Sequence, residues 1–235
     1  MASTNSAPVK FGVGQSARRK EDDALVRGRG RYTDDHAPSP AMHALMLRSP
    51  HAHAKFTVDA TRARTLPGVG IILTAADIKD LGGLPCLFNL PENPFTGPPY
   101  PILATDVVRH VGDAVAFVVA ETVAQARDAI EAIEVDWTPL PAVVGAANAV
   151  KKGAPQVWSQ FPGNVLFDES IGGKAKAEAA FAKADAVAEI SIVNPRIVTN
   201  YMETRAAVCE YDAKRDHLTL TIGSQGSHRL RDILC

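Results

Sequence analysis

Apolar positions in the first two thirds of the chain fall into short runs of strand length, separated by polar and glycine- or proline-marked breaks. Met42-His43-Ala44-Leu45-Met46-Leu47 and Lys55-Phe56-Thr57-Val58 read as strands. Asp59 is placed to cap a short helix that Pro67-Gly68 stops. Val69 to Leu73 is an unbroken apolar strand, and Thr74 with Asp77 has capping-box spacing. Ala114-Val115-Ala116-Phe117-Val118-Val119 is a buried strand. Thr122 and Gln125 then form a T-x-x-Q box, and Ala126, Ala129, Ile130 and Ile133 fall on one helical face. Glu134 to Trp137 returns as a strand, and this strand–helix–strand unit implies a mixed α/β domain.

The pattern changes twice. Residues 82–105 hold the segment GGLPCLFNLPENPFTGPPYPI, with six prolines and three glycines, and read as a long loop of the kind often functional or interfacial. After about residue 145 a second region begins. Lys174 to Ala184 is alanine-rich and predicts a helix. Ala186 to Val193, Ala206 to Tyr211 and His217 to Ile222 predict strands, the last two joined as a hairpin through Asp212-Ala213-Lys214-Arg215-Asp216. A final helix begins at about His228. Its stripe of Leu230, Ile233 and Leu234 meets the last residue, Cys235, with no Gly or Asn C-cap, so the chain reads as the N-terminal part of something longer. Residues 1 to about 22 are polar and read as an arm.

Composition narrows the function classes. The 235 residues carry 25 basic and 26 acidic side chains, a net charge of −1. The most basic stretch, Arg18 to Asp35, sets six cations against five anions, so no field holds a nucleic acid. No apolar run reaches a membrane span. Lys20-Glu21-Asp22-Asp23 follows Arg18-Arg19 where a secretory signal needs an apolar stretch, so a cytoplasmic location is expected. Cys86, Cys209 and Cys235 lack C-x-x-C spacing, which argues against a disulfide framework, a zinc site or an iron–sulfur cluster within the chain.

Several motifs carry candidate chemistry beside a plainer reading. Gly12-Val13-Gly14 follows no strand and reads as a turn. Gly28-Arg29-Gly30-Arg31-Tyr32 is either a phosphate cradle or a surface turn feeding a strand. His51 and His53 share one face at a metal-ligand spacing, but no third ligand is near, and a hydrogen-bonded loop before a strand is the plainer reading. Gln225 is the most informative residue. It lies between Ser224 and Gly226, after a strand and before a helix. Glycine there lets a ligand approach the backbone. Helix N-termini favour anions, and a held amide donates to an oxo or carbonyl oxygen. The alternative is an ordinary strand-to-helix turn.

Taken together, the segments resemble the molybdopterin-binding large subunit of the xanthine dehydrogenase / aldehyde oxidase / aerobic carbon monoxide dehydrogenase family. Gly14 to Asp35 (GQSARRKEDDALVRGRGRYTDD) is similar to that family's N-terminal motif. Met46 to Val69 (MLRSPHAHAKFTVDATRARTLPGV), Arg109 to Ala120 (RHVGDAVAFVVA) and Ala126 to Leu140 (ARDAIEAIEVDWTPL) are similar to its α/β hammerhead domain. Tyr201 to Asp212 (YMETRAAVCEYD) and Leu218 to Cys235 (LTLTIGSQGSHRLRDILC) are similar to the start of its molybdenum-cofactor domain.

The resemblance implies an α/β (α+β) fold. An arm over 1–22 precedes a hammerhead domain over 23–145 and the incomplete start of a molybdopterin-binding domain over 146–235. It implies that Gln225 and Gly226 bind the cofactor, with Gln225 beside the molybdenum, that Glu203 is structural, and that His51 and His53 are structural rather than metal ligands. Glu203 is followed by Thr204 where many relatives have proline. No catalytic residue and no metal ligand is assigned within the chain. The implied cofactor is Mo-molybdopterin in its cytosine dinucleotide form, with [2Fe-2S] and FAD on partner subunits of a hetero-oligomer that forms a dimer of the complex. In the implied reaction a small aldehyde, N-heterocycle or similar substrate is hydroxylated. A glutamate outside this chain deprotonates a molybdenum-bound hydroxyl that attacks an electron-poor carbon, and hydride passes to a sulfido ligand. The chain alone is then expected to be inactive. The competing expectation is a non-catalytic binding or assembly module derived from the hammerhead.

Overall fold

The computed structural model describes residues 18–85, 100–166, 168, 172–195, 197–201 and 203–235. Gly12-Val13-Gly14, Cys86 and most of the proline-rich loop lie outside them. The chain divides into two compact units that are not contiguous in sequence: Met1–Ser39 with Ile197–Ser227, and Pro40–Arg196 with His228–Cys235.

The larger unit is built on two three-stranded antiparallel sheets. Its strands are β1 (His43–Arg48), β2 (Ala54–Asp59), β3 (Val69–Thr74), β4 (Val107–Val108), β5 (Ala114–Ala120) and β6 (Glu134–Pro139). One sheet has the order β1-β5-β3 and the other β4-β2-β6. The expected unit of strand, helix and strand is present as elements, but its two strands do not share a sheet. β5 pairs with β1 and β3, whereas β6 pairs with β2, where Phe56 and Trp137 face each other with ring centroids 5.4 Å apart.

β5 connects the two cores because its successive side chains point to opposite faces. Ala116, Val118 and Ala120 pack with Ile72, Ala126, Ala129 and Ile133 in one cluster. Val115, one step out of phase, packs with Ala54, Phe56, Ala104 and Val108 in the other. Burying a side chain of valine size stabilises by roughly 1.5–3 kcal/mol. The helix that covers the first cluster runs Val123–Glu131, with Thr122 as its N-cap: Thr122 Oγ1 accepts from the Gln125 amide at 3.2 Å. In chain order it is α2, after α1 (Asp22–Val26) in the smaller unit.

Two capping expectations resolve differently. Asp59 Oδ1 accepts from the Thr61 amide at 2.8 Å, which closes a turn; the helix that follows is a single 3-10 turn, Ala63–Thr65. Asp77 Oδ2 accepts from the Thr74 amide at 2.7 Å and from its hydroxyl at 2.8 Å, but no helix follows. Both motifs satisfy local amides; after Asp59 only Ala60 and Ala63 are buried before Pro67 ends the segment, too short a stripe for more than one turn, and after Asp77 no residue through Pro85 is buried.

Beyond Pro139 the larger unit carries α3 (Ala146–Ala149), α4 (Lys174–Phe181) and α5 (Ser227–Leu234), the last beginning at the unit's edge in sequence. The helix expected over 174–184 is α4, and none of its residues is buried. The strand expected over 186–193 does not form. Val187, Ile190, Ile192 and Val193 are exposed and the segment has no pairing partner among the described residues. Strand propensity needs a ladder to join, and none is offered here.

The smaller unit contains α1, a 3-10 turn at Thr33–His36, and the expected hairpin of β7 (Ala207–Asp212) and β8 (His217–Ile222). Their register runs from Ala207 opposite Ile222 to Asp212 opposite His217. Asp212 Oδ1 accepts from the amides of Lys214 and Arg215, and Asp216 takes φ +49° to turn the chain.

Candidate functional site

The open end of the β7–β8 hairpin shapes an open concavity of about 740 Å³ within the smaller unit. Its wall includes Thr33, Tyr201, Glu203, Arg205, Ser224 and Gln225. Hairpin pairing ends at Ala207 and Ile222, so the residues just outside that pair are free of the ladder and flank the opening.

The 3-10 turn at Thr33–His36 supplies the third side. The Tyr32 amide donates to Asp35 Oδ2 at 2.8 Å, which closes the turn. Thr33 is 7% exposed and meets the carboxylate of Glu203: its amide donates to Oε1 at 3.1 Å and its hydroxyl to the same oxygen at 3.0 Å. Glu203 Oε2 lies beside Gly223, 3.8 Å from where a Cβ would stand. Arg205 Nε donates to the Tyr201 hydroxyl at 3.0 Å, and that bond holds the guanidinium above its ordinary value.

Gln225 is exposed in a bend on the wall of this concavity, and α5 begins two residues later in the chain. Gly226 is not among the lining residues, and a Cβ there would have nothing within 4 Å. The amide of Gln225, the hydroxyls of Thr33, Tyr201 and Ser224, the Arg205 guanidinium and the clamped Glu203 carboxylate form a mixed donor and acceptor set suited to a polar small molecule.

The remaining candidates fall elsewhere. Gly28 takes φ +67°, and the amides of Gly28 and Arg29 donate to the carbonyls of Leu25 and Ala24. The glycine-arginine segment therefore begins as the turn that ends α1, with the amides of Gly28 and Arg29 already committed. A 3-10 turn, not the expected strand, follows it. His51 donates its amide to Ser49 Oγ at 2.9 Å and lays its ring against Trp137 at 5.1 Å. His53 Nδ1 is 2.8 Å from the Pro141 carbonyl. Among the described residues no group of three His, Cys, Asp or Glu side chains is arranged to hold a metal ion. No helix among them is long and apolar enough to cross a membrane.

A second polar cluster, in the larger unit, had no counterpart in the sequence reading. Asp113 is buried and accepts from the Tyr100 hydroxyl at 3.0 Å and the Arg109 amide at 3.0 Å. Burial first, and then the Asp113 carboxylate, push the Tyr100 phenol up to about 12, so it stays a donor at neutral pH. The Arg109 guanidinium lies 3.7 Å from the centre of the Trp158 ring and donates to the Val157 carbonyl. Asn164 adds bonds to the Val157 amide and to the carbonyls of Ala149 and Pro155. Arg109 and Asp113 stood inside a recognised motif, but nothing local tied them to Tyr100 or Trp158.

Comparison with known proteins agrees with this architecture. Residues 27–141 match the family described as aldehyde oxidase and xanthine dehydrogenase, a/b hammerhead domain, and residues 157–235 match the molybdopterin cofactor-binding domain. The chain belongs to this family of molybdopterin-dependent oxidoreductases. It is 34% identical to the carbon monoxide dehydrogenase large chain of Afipia carboxidovorans over 95% of its own length and 28% of that protein's. It is 32% identical to the nicotine 6-hydroxylase large subunit of Paenarthrobacter nicotinovorans, over 93% and 27%. Among solved structures, quinoline 2-oxidoreductase from Pseudomonas putida superposes with a TM-score of 0.79 at 34% identity, covering 94% of this chain and 28% of that one. The chain thus spans less than a third of the length of these relatives.

Proposed function

We propose that this chain is the hammerhead and first cofactor-binding portion of a molybdenum hydroxylase large subunit, and that the concavity at Gln225 is its contribution to the molybdopterin site. The observation that carries the reading is the position of Gln225. The glutamine that the family resemblance marks stands on the wall of a concavity of about 740 Å³, inside the stretch that matches the cofactor-binding domain. That volume falls in the range of small-molecule sites, and the Gln225 amide and Ser224 hydroxyl offer neutral donors to an electron-rich ligand. These residues fit a polar cofactor.

When bound, the molybdenum cofactor supplies the oxygen transfer and the two-electron acceptance of the reaction. The chain's own residues bind and orient. Gln225 donates a hydrogen bond to an oxygen on the cofactor, and Gly226 keeps the backbone at that point free of a side chain. The cofactor is read as the cytosine dinucleotide form. The proposed substrate is a small aldehyde or N-heterocycle. Relatives named aldehyde oxidoreductase and nicotine 6-hydroxylase give that class its support. Partner subunits carrying [2Fe-2S] and FAD complete a cytoplasmic hetero-oligomer, a dimer of the complex; the names large chain, large subunit and complex subunit gamma among the relatives support a multi-subunit assembly. In this reading the domains are the arm over 1–22, the hammerhead over 23–145 and the partial cofactor domain over 146–235. The catalytic base lies outside this chain, which is inactive alone. The two consecutive family matches favour an enzyme over a stand-alone assembly module.

The test is Gln225→Ala in the full-length complex, with molybdenum per protomer measured beside turnover. Loss of one donor aimed at developing charge costs about 2.7–4 kcal/mol, so turnover falls on the order of a hundredfold or more. Molybdenum content falls less, because other contacts hold the pterin. Gln225→Glu, which accepts where a donor is needed, is at least as harmful. Full molybdenum with unchanged turnover sinks the reading and leaves Gln225 as a turn residue.

A further inference from the structure

The Thr33–Glu203 contact joins residues 170 positions apart and is made by one side chain and its own amide to one carboxylate oxygen. Thr33 is among the few polar residues of the described chain that are buried, and it lines the same concavity as Gln225. Glu203 stands four residues before the start of β7, and its Oε2 lies beside Gly223, the first residue after β8. One carboxylate therefore touches the N-terminal turn, precedes one hairpin strand and borders the exit of the other.

We infer that Thr33 is a positioning residue of the concavity: by holding Oε1 of Glu203 with two donors, it fixes the chain entering β7 and leaving β8, and so the wall on which Gln225 stands. One observation and two general arguments converge. A two-stranded hairpin is marginally stable by itself and needs something to pack against. The 3-10 turn at Thr33–His36 packs on both of its strands. Hydrogen bonds to a charged acceptor are among the stronger ones a protein makes, and two on one oxygen define its place better than either alone. The turn at Thr33–His36 is in this view part of the site. Glu203 acts as the link, with its second oxygen left at the edge of the concavity as an acceptor. The inference that this wall serves a cofactor rests on the reading of the concavity given above; the clamp itself does not.

The experiment is hydrogen exchange on the 235-residue chain, comparing Thr33→Val, Thr33→Ser and Glu203→Gln. Valine keeps the shape and the amide of threonine but removes the hydroxyl donor; serine keeps the donor. Thr33→Val raises exchange in β7 and β8 about ten- to hundredfold, the factor expected for one lost bond to a charged group. Thr33→Ser stays within about twofold of the parent, and Thr33→Val raises exchange less on top of Glu203→Gln than in the parent, because the neutral amide oxygen still accepts from Thr33 but without the charge that strengthens the bond. The amides of β5 serve as the control and do not change. Unchanged exchange in the hairpin, failure of serine to restore protection, or equal loss in β5 each overturns the proposal, the last because Thr33 would then support the whole fold instead of the site. Molybdenum content of the full-length complex separates this from the functional reading. If hairpin exchange rises in Thr33→Val and molybdenum per protomer falls, both stand. If exchange rises and molybdenum is unaffected, the clamp stands and the cofactor reading of the concavity fails.

Discussion

Helices α2 and α4 are nearly the same length and differ in almost everything else. α2 begins on a threonine cap and buries Ala126 and Ala129 against a three-stranded sheet. α4, Lys174–Phe181, begins after Gly173 with no side-chain cap and buries nothing; its alanines are spread round the helix and its one ion pair, Lys174 to Glu178, is exposed at 3.9 Å. Strands show the same contrast. Val118 in β5 is fully buried, while Ile190, in a run of similar apolar content, is 80% exposed and belongs to no strand. Apolar content is therefore not what separates the two regions. A stripe at the right period with a sheet to meet it makes a core, whereas alanine-rich or alternating sequence without a partner gives at most an isolated element.

That comparison breaks most sharply on paired charge insertions. Val118→Asp places an unpartnered carboxylate in the core and lowers stability by on the order of 4 kcal/mol in urea unfolding, whereas Ile190→Asp stays within about 0.5 kcal/mol. An equal loss at both sites shows that residues 186–193 pack somewhere, and the contrast collapses. A smaller effect sharpens the difference between the helices. Thr122→Ala removes the cap of α2 and costs about 1 kcal/mol by thermal or urea unfolding, and Thr122→Ser restores most of it. No loss on Thr122→Ala means that packing alone holds α2.

The smallest effect concerns the turn after β3. The amide and hydroxyl of Thr74 first, and the Arg64 guanidinium after them, hold the Asp77 carboxyl below its ordinary range. A carboxyl depressed in the folded state adds stability above its unfolded value, near 3.9, and loses it as the pH falls through the lower folded value. Asp77→Asn therefore lowers stability near neutrality, where the carboxylate's contribution is fully present, and flattens the acid side of the profile below about pH 4, where parent and variant converge. An unchanged acid limb places the dependence on other carboxylates.

Much of the larger unit was legible in the sequence because its signals are local. The unbroken apolar runs at 69–73 and 114–119, the T-x-x-Q box at Thr122 and the stripe of Ala126, Ala129 and Ile133 each specify an element from a few neighbouring residues, and each formed. The hairpin of β7 and β8 was legible for the same reason, since its turn is written in Asp212 to Asp216. Gln225 was legible as a candidate because small neighbours and flanking elements mark such a bend, and the motifs around it carried the family.

What local sequence did not contain was partnership. Nothing near Glu134 says that β6 joins β2 and not β5; in the fold both edges of β5 are taken by β1 and β3, and β6 lies on β2, where Phe56 and Trp137 meet. Nothing near residue 190 says that its strand has no ladder. Thr33 lay in plain view between Tyr32 and Asp34, and Glu203 was marked as structural, yet a bond across 170 residues has no local signature. Elements follow from the chemistry of neighbours along the chain, which the sequence alone determined. Pairing, burial and the wall of the candidate site depend on which surfaces compete for each partner, and only the tertiary structure decided that.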